Sequence, residues 1–416
     1  MLQLYNTMSR SKEVFRPRRE GEVKMFTCGP SIYARPHVGN FRTFLWEDVL
    51  LRYLEYRGNR VLRVINFTDV EDKALEEAGK KGATVLGLTE SMSHHFFDDA
   101  KLLRIKLPDF IPRSSTSVDQ AVRLIDVMLQ KGCAYRHEGD IFFDPLKFKG
   151  FGKLFRLDMS RWPRERKRFK RDTYNGRRWN LGDFILWHGC KAGEDLCWDT
   201  EIGNGRPSWN IQDPAIITKH LGFTIDISCG GIDNLYRHHD YNIAVIESVS
   251  GEEFANYWMH CEHLLVGGKK MSKSIGNIVY PEDLLRAGYD ARQLRFYLIY
   301  GRYRKRINLT DENLRSAASR LGAFREMVER IIGTVPGDEN EASTGGEAAE
   351  WVGKLIPSFE KAMDDDLDME TAFDDVCGVV EKLEKLKREG RLNSGDVVCI
   401  EGDLRRIDEV WQVVFP

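Results

Sequence analysis

The residues of this 416-residue chain best suited to chemistry fall in two short strings. Pro36-His37-Val38-Gly39-Asn40 stands between a short apolar, β-leaning run (23–28) and a long stretch of helical periodicity (41–56). A helix that starts directly after a strand presents unpaired backbone N–H groups and a positive dipole end, which together make a phosphate site. Gly39 lets a ligand approach the backbone, and His37 can donate a hydrogen bond to a phosphate oxygen. A histidine that only caps the helix is the plain alternative. The second string is Lys270-Met271-Ser272-Lys273-Ser274, preceded by Gly267-Gly268. Two ammonium groups in a glycine-flanked loop can oppose a polyphosphate, a task suited to flexible point charges. A solvated basic loop is the alternative here. Cys28 adds a thiol at the end of the strand that leads to the first string.

These groups need a frame to hold them. The strand, the helix and a second strand at 60–67 form a βαβ unit, which implies a parallel sheet. Residues 71–107 read as largely helical, 108–115 as a turn and 118–132 as a helix. From 134 to 185 short strands, glycines and charge read as an insertion. The α/β pattern returns with a strand at 224–229, a helix at 239–250 and a strand at 263–266 that enters the lysine loop, 267–276. Beyond 311 only helical periodicity remains, with 333–346 a loop by composition. The expected fold class is α/β: a Rossmann-like parallel-sheet domain over 1–305, then an all-α bundle over 306–416.

Composition narrows the class further. Hydrophobic residues at 42% and charged residues at 30% suit a globular chain with a large core. No run of 18 apolar residues is present, so no spanning segment is expected, and the N-terminus lacks a signal-peptide core. Eight cysteines without CxxC spacing fit a reducing, cytoplasmic setting better than a disulfide framework. The net charge of −2 hides one basic patch. From Arg161 to Arg178 (RWPRERKRFKRDTYNGRR) nine Lys/Arg face two acidic residues, with Trp162, Phe169 and Tyr174 interleaved. Such a mixture suits phosphate backbone and unstacked bases, or an acidic carrier protein; a solvated loop is the alternative.

The two strings together, with FTCGPSIYARPHVGNFRTF, INFTDVEDKA, GNGRPSWNI and NYWMHCEHLLVGGKKMSKSIGN, resemble the class I aminoacyl-tRNA synthetases, and cysteinyl-tRNA synthetase in particular, over about residues 1–380. The resemblance implies activation of an amino acid by ATP and Mg2+ to an aminoacyl adenylate, with transfer to tRNA. It makes His37, Asn40, Lys270 and Lys273 catalytic, with Pro36, Gly39, Met271, Ser272 and Ser274 also at the ATP. It sets Gly29, Thr68, Trp209 and Asp233 around the amino acid, with Asp233 facing its ammonium. The family's four zinc positions fall on Cys28, Asp213, His238 and Asn242. Two of them depart from the family pattern, Asp213 for cysteine and Asn242 for glutamate, which puts zinc, and cysteine as substrate, in question. Cys229, in the family's His-Gly-Gly-Gly position, is a substitute ligand or a small buried residue. The stretch His260-Cys261-Glu262-His263 is expected to be structural. The chain after about 386 is too short for the family's anticodon-binding domain. That leaves a small-molecule or carrier-protein acceptor, as in the related mycothiol cysteine ligase, and a non-catalytic paralogue, as alternatives.

Overall fold

The computed structural model describes residues 1–161, 182–190, 194–272, 274–333 and 346–416. A hairpin of β1 (Gln3–Asn6) and β2 (Ser11–Val14) precedes β3 (Glu22–Thr27), α1 (Val38–Tyr56) and β4 (Arg60–Ile65). β3 and β4 pair in parallel along their whole length, Glu22 with Arg60 through Thr27 with Ile65. The stretch after β4 divides into α2 (Asp72–Lys81) and α3 (Val85–Leu102), because Gly82 adopts a left-handed conformation (φ 61°) and ends the first helix.

After α4 (Val118–Gln130) comes an antiparallel sheet of β5 (Ala134–His137), β6 (Asp140–Phe143), β7 (Phe184–Gly189) and β8 (Gly205–Pro207). It continues to Pro207, past the expected limit of 185. A disulfide joins Cys190 to Cys197 in the connection between β7 and β8, a single short-range link where none was expected; the other six cysteines are free.

The chain then returns through α5 (Trp209–His220), β9 (Ile225–Gly231), α6 (Asp240–Ser250) and β10 (Ala255–Cys261). The main sheet has the order β10-β9-β3-β4, all parallel. β10 was not expected as a strand. Most of its residues are buried, so its sequence lacks the alternation of a half-exposed strand. The expected strand at 263–266 instead forms β11 (Leu264–Val266), in a small sheet with β12 (Lys269–Lys270) and β13 (Ile307–Leu309).

This topology places the site. From β3 the chain moves outward to β4, and returns on the other side of β3 as β9. The crevice beyond the carboxyl ends of β3 and β9 is therefore a topological switch point, where open α/β sheets bind ligands. Cys28 leaves the end of β3, and Gly230-Gly231 close β9.

After β13 the described elements are helices only, among them Asp311–Ile332, Leu355–Met363, Met369–Arg388 and Ser394–Trp411. Their apolar faces share one core with α1, where Tyr53 meets Phe359 and Trp411 meets Phe373. The fully buried Arg295 ties the layers together. It donates to Asp48 on α1 at 2.6 Å and to the carbonyls of Trp411 (2.7 Å) and Leu103 (2.8 Å). Among the described residues no helix is long and apolar enough to cross a membrane.

Candidate active site

α1 begins with a capping box made by its own first residues. His37 is the N-cap: its Nδ1 accepts from the Asn40 N–H at 3.3 Å, while Asn40 Oδ1 accepts from the His37 N–H at 3.0 Å. Because Nδ1 is an acceptor, the neutral ring carries its proton on Nε2 and keeps that N–H as a donor. Burial lowers the His37 pKa, and the charge of Lys270 lowers it further. The histidine caps the helix and also offers a donor, so the two readings of it coexist. Gly39 permits a close approach: a Cβ there would lie 2.6 Å from Met271 Cε, the flexible end of that side chain, and 3.0 Å from the His37 ring. Met271 is buried, so the two strings are packed against each other.

A cavity of about 420 Å3 opens at this junction. Of the expected residues, Cys28, Gly29, Pro36, His37, Gly39, Asn40, Thr68, Trp209, Asp233, Lys270, Met271 and Ser272 line it. Ser274 bonds Ser272 through their hydroxyls at 3.1 Å. Lys273 and the segment 162–178 lie outside the described residues. Lys270 Nζ is paired with Asp233 Oδ2 at 2.9 Å, which joins the lysine loop to the residue expected to face an amino-acid ammonium. Burial pushes the Asp233 pKa up, but the Lys270 bond and charge outweigh it and the net shift is downward.

Several residues that hold this site were not legible as such. Asn277 accepts the Ser272 N–H at 2.9 Å and donates to the Lys270 carbonyl at 3.3 Å, which folds the lysine loop back on itself. Asn66 accepts the Gly29 N–H at 2.7 Å and donates to Asp213 Oδ1 at 2.8 Å. A Cβ on Gly29 would fall 1.8 Å from the Asn66 carbonyl oxygen, so this glycine is fixed by contact between two chain segments. Arg35 lines the cavity, held by Asp99 at 2.8 Å and Glu282 at 2.9 Å. Tyr33, His263 and Tyr280 also line it. Only polar or aromatic type next to a motif could have marked these.

At the far end the chain gathers soft and hard donors. Cys28 Sγ lies 3.3 Å from His238 Nε2 and 3.8 Å from Asp213 Oδ2, and the last two atoms are 2.7 Å apart. Asp213 comes from α5 and His238 from an irregular turn before α6, where Arg237 takes a left-handed φ of 69°. A non-glycine residue held there marks a constrained turn. Trp209 stacks on the His238 ring with centroids 4.0 Å apart. Asn242 is fully buried, and among the described residues both its side-chain polar atoms lack a hydrogen-bond partner. Burial raises the Cys28 pKa well above its ordinary value, with the charges of Asp213 and Glu47 adding to it. Cys229 lines a small second cavity with Glu47, Met259 and Cys261, and is not part of the donor cluster. His260 is buried in β10 and bonded to Thr7 and His239.

The donor set suits zinc. Bonds of 2.0–2.3 Å in a tetrahedron put donors roughly 3.3–3.8 Å apart; the two Cys28 distances match this, while Asp213 and His238 at 2.7 Å are a hydrogen-bonded pair that a bound ion would have to part. Thiolate, carboxylate and imidazole are all ligands zinc accepts. The neutral Asn242 amide is the member that does not suit it.

A model of the family described as tRNA synthetases class I (C) catalytic domain matches residues 14–319. The cysteine–tRNA ligase of Chlamydia pneumoniae is 35% identical over 417 aligned residues, covering 99% of this chain and 86% of that protein. That of Listeria monocytogenes serotype 4a is 38% identical over 375 residues, 89% of this chain and 78% of that protein. In fold the chain is similar to Mycobacterium tuberculosis methionyl-tRNA synthetase in complex with methionyl-adenylate, with a TM-score of 0.66 at 16% identity over 94% of this chain and 90% of that one. The family model covers most of the chain and the relatives match it over most of their length, and the chain belongs to the class I (C) tRNA synthetase family.

Proposed function

We propose that this protein is an ATP-dependent ligase that activates cysteine as its adenylate and transfers it to tRNA. One observation carries the reading: the capped helix with its lysine loop and the Cys28 end open into a single cavity. ATP with Mg2+ lies with its phosphates at the α1 N-terminus, where backbone N–H groups and the helix dipole favour them. His37 donates from Nε2 to a phosphate oxygen. Asn40 holds the His37 ring in the tautomer that makes this donor available. Pro36 and Gly39 keep the helix start close to the nucleotide, and Met271, Ser272 and Ser274 shape the loop that brings Lys270 and Lys273 to the phosphates.

The amino acid lies among Gly29, Thr68 and Trp209. Its carboxylate oxygen attacks the α-phosphorus, an oxygen–phosphorus bond forms, and pyrophosphate leaves with the electrons of the broken bond. Catalysis is positioning and charge stabilisation. Asp233 receives the substrate ammonium, which displaces Lys270 from that carboxylate and releases the lysine to the phosphates. Cys28, Asp213 and His238 would hold zinc, which when bound prefers thiolate over hydroxyl and so favours cysteine over serine. The acceptor end of tRNA contacts the basic segment 161–178, and the enzyme works in the cytoplasm.

The test is ATP–pyrophosphate exchange with a panel of amino acids, cysteine and serine included, without tRNA. Exchange driven by cysteine supports the reading. Exchange with a different member replaces the substrate, and silence across the panel overturns activation. Aminoacylation of tRNA then tests the acceptor: adenylate formation without transfer to any tRNA would direct the search to small molecules or carrier proteins.

A further inference from the structure

The Cys28 cluster holds one more donor than the family positions supply. A ring nitrogen of His239 lies within 4.8 Å of the Cys28 and His238 donor atoms, at most about 1.5 Å beyond tetrahedral donor spacing. His239 is fully buried, and its Nε2 has no hydrogen-bond partner among the described residues. Its other nitrogen is anchored: Nδ1 is 2.8 Å from His260 Nε2, and His260 Nδ1 is 2.9 Å from Thr7 Oγ1. When the Thr7 hydroxyl accepts the His260 Nδ1–H, His260 Nε2 accepts the His239 Nδ1–H. The lone pair of His239 then sits on Nε2. Metal-binding histidines are oriented in this way, by a partner on the nitrogen that does not bind. β9 makes room for the ring, since a Cβ at Gly230 would lie 2.9 Å from His239 Cε1 and 3.1 Å from Nε2.

We propose that His239 takes the place of the residue at 242 as a protein donor, so that in the amino-acid-free enzyme Cys28, His238 and His239 converge on the metal. This rests on the proposed zinc end of the site. Asn242 is a neutral amide one helical turn beyond His238, and an amide is a weak zinc ligand. Cys28 as thiolate brings negative charge to a divalent ion, and two neutral imidazoles are donors that zinc accepts in sites with three protein ligands. The chain thus compensates for a lost carboxylate with the neighbouring histidine.

The experiment loads the purified full chain with Zn2+ and, separately, Co2+. Metal per chain and the cobalt absorption spectrum are measured for wild type and variants. The expected wild type binds one metal per chain with the strong visible bands of tetrahedral cobalt. His239→Ala should weaken metal binding at least tenfold and reduce those bands, while Asn242→Ala leaves metal content and spectrum as in wild type. Because His239 is buried, a second variant guards against misfolding: Asn242→Glu in the His239→Ala background should restore metal binding, as one donor site supplied from two positions requires. Loss of metal in Asn242→Ala with retention in His239→Ala overturns the proposal, as does a wild type that binds neither ion. Cysteine-dependent exchange by wild type is read separately, so a metal-free but active enzyme would sink this metal set and leave the activation chemistry standing.

Discussion

At the helix end of the cavity, a single five-residue string does the positioning: His37 and Asn40 lock each other, and Gly39 receives Met271. At the thiol end, donors arrive from the exit of β3, from α5 and from the irregular turn before α6. By the resemblance, the first end keeps the family's motif residues and the second departs from them at 213 and 242. The contrast has a physical basis. A cap built from residues three apart in sequence has little freedom to vary, because each member satisfies another's backbone. A metal cluster fed by separate elements can exchange one donor for a neighbour so long as charge and spacing are kept. In the proposed function the helix end serves a ligand that does not change, a polyphosphate, whereas the thiol end sets substrate choice.

The largest effect is expected at the helix end. His37→Ala removes a donor aimed at the phosphates and should lower kcat for pyrophosphate exchange by about 10²–10³-fold while KM for cysteine changes little. A loss of less than threefold would break the contrast by making His37 a helix cap and no more. Next, Cys28→Ala should abolish zinc retention and cut kcat/KM for cysteine by about 100-fold, since even outer partners of a metal site cost 10–100-fold. Elemental analysis with exchange kinetics checks both parts, and stoichiometric zinc in this variant would remove Cys28 from the site.

A smaller effect is expected where the two strings touch. Gly39→Ala puts a Cβ 2.6 Å from Met271 Cε. The far end of a methionine can give way, so the expected result is a rise of about tenfold in KM for ATP, with zinc content unaffected. An unchanged KM would mean that the lysine loop does not depend on this contact.

The smallest concerns pH. The His37 pKa is depressed by burial and by Lys270, so the neutral ring persists below the ordinary value of 6.5. Protonation at Nδ1 would break the Asn40 N–H bond and the cap. Exchange should therefore stay level as pH falls through 6.5 and decline only below it. An acid limb centred at or above 6.5 would show that His37 is not held as the geometry indicates.

The helix end could be read from the chain because its parts are contiguous: strand, turn signal, histidine, glycine and apolar periodicity follow one another in order. The lysine loop was visible as a string, and its link to the first string came through the family resemblance. Asn277 and Asn66 were hidden because one asparagine looks like any other until its two hydrogen-bond partners are in place. His239 is hidden for the opposite reason, since it stands beside an expected ligand and has no spacing of its own to recommend it. β10 was missed because a strand buried on both faces has no alternation to read.

By itself the sequence determined the α/β class, the helix-start string and the family, all of which depend on local periodicity and on strings of adjacent residues. Tertiary structure decided which side chains meet: that Asp233 pairs with Lys270, that Gly29 is fixed by Asn66, and that a second histidine faces Cys28. Those contacts join residues tens to hundreds of positions apart, and only the sheet order, with its switch point between β3 and β9, brings them to one place.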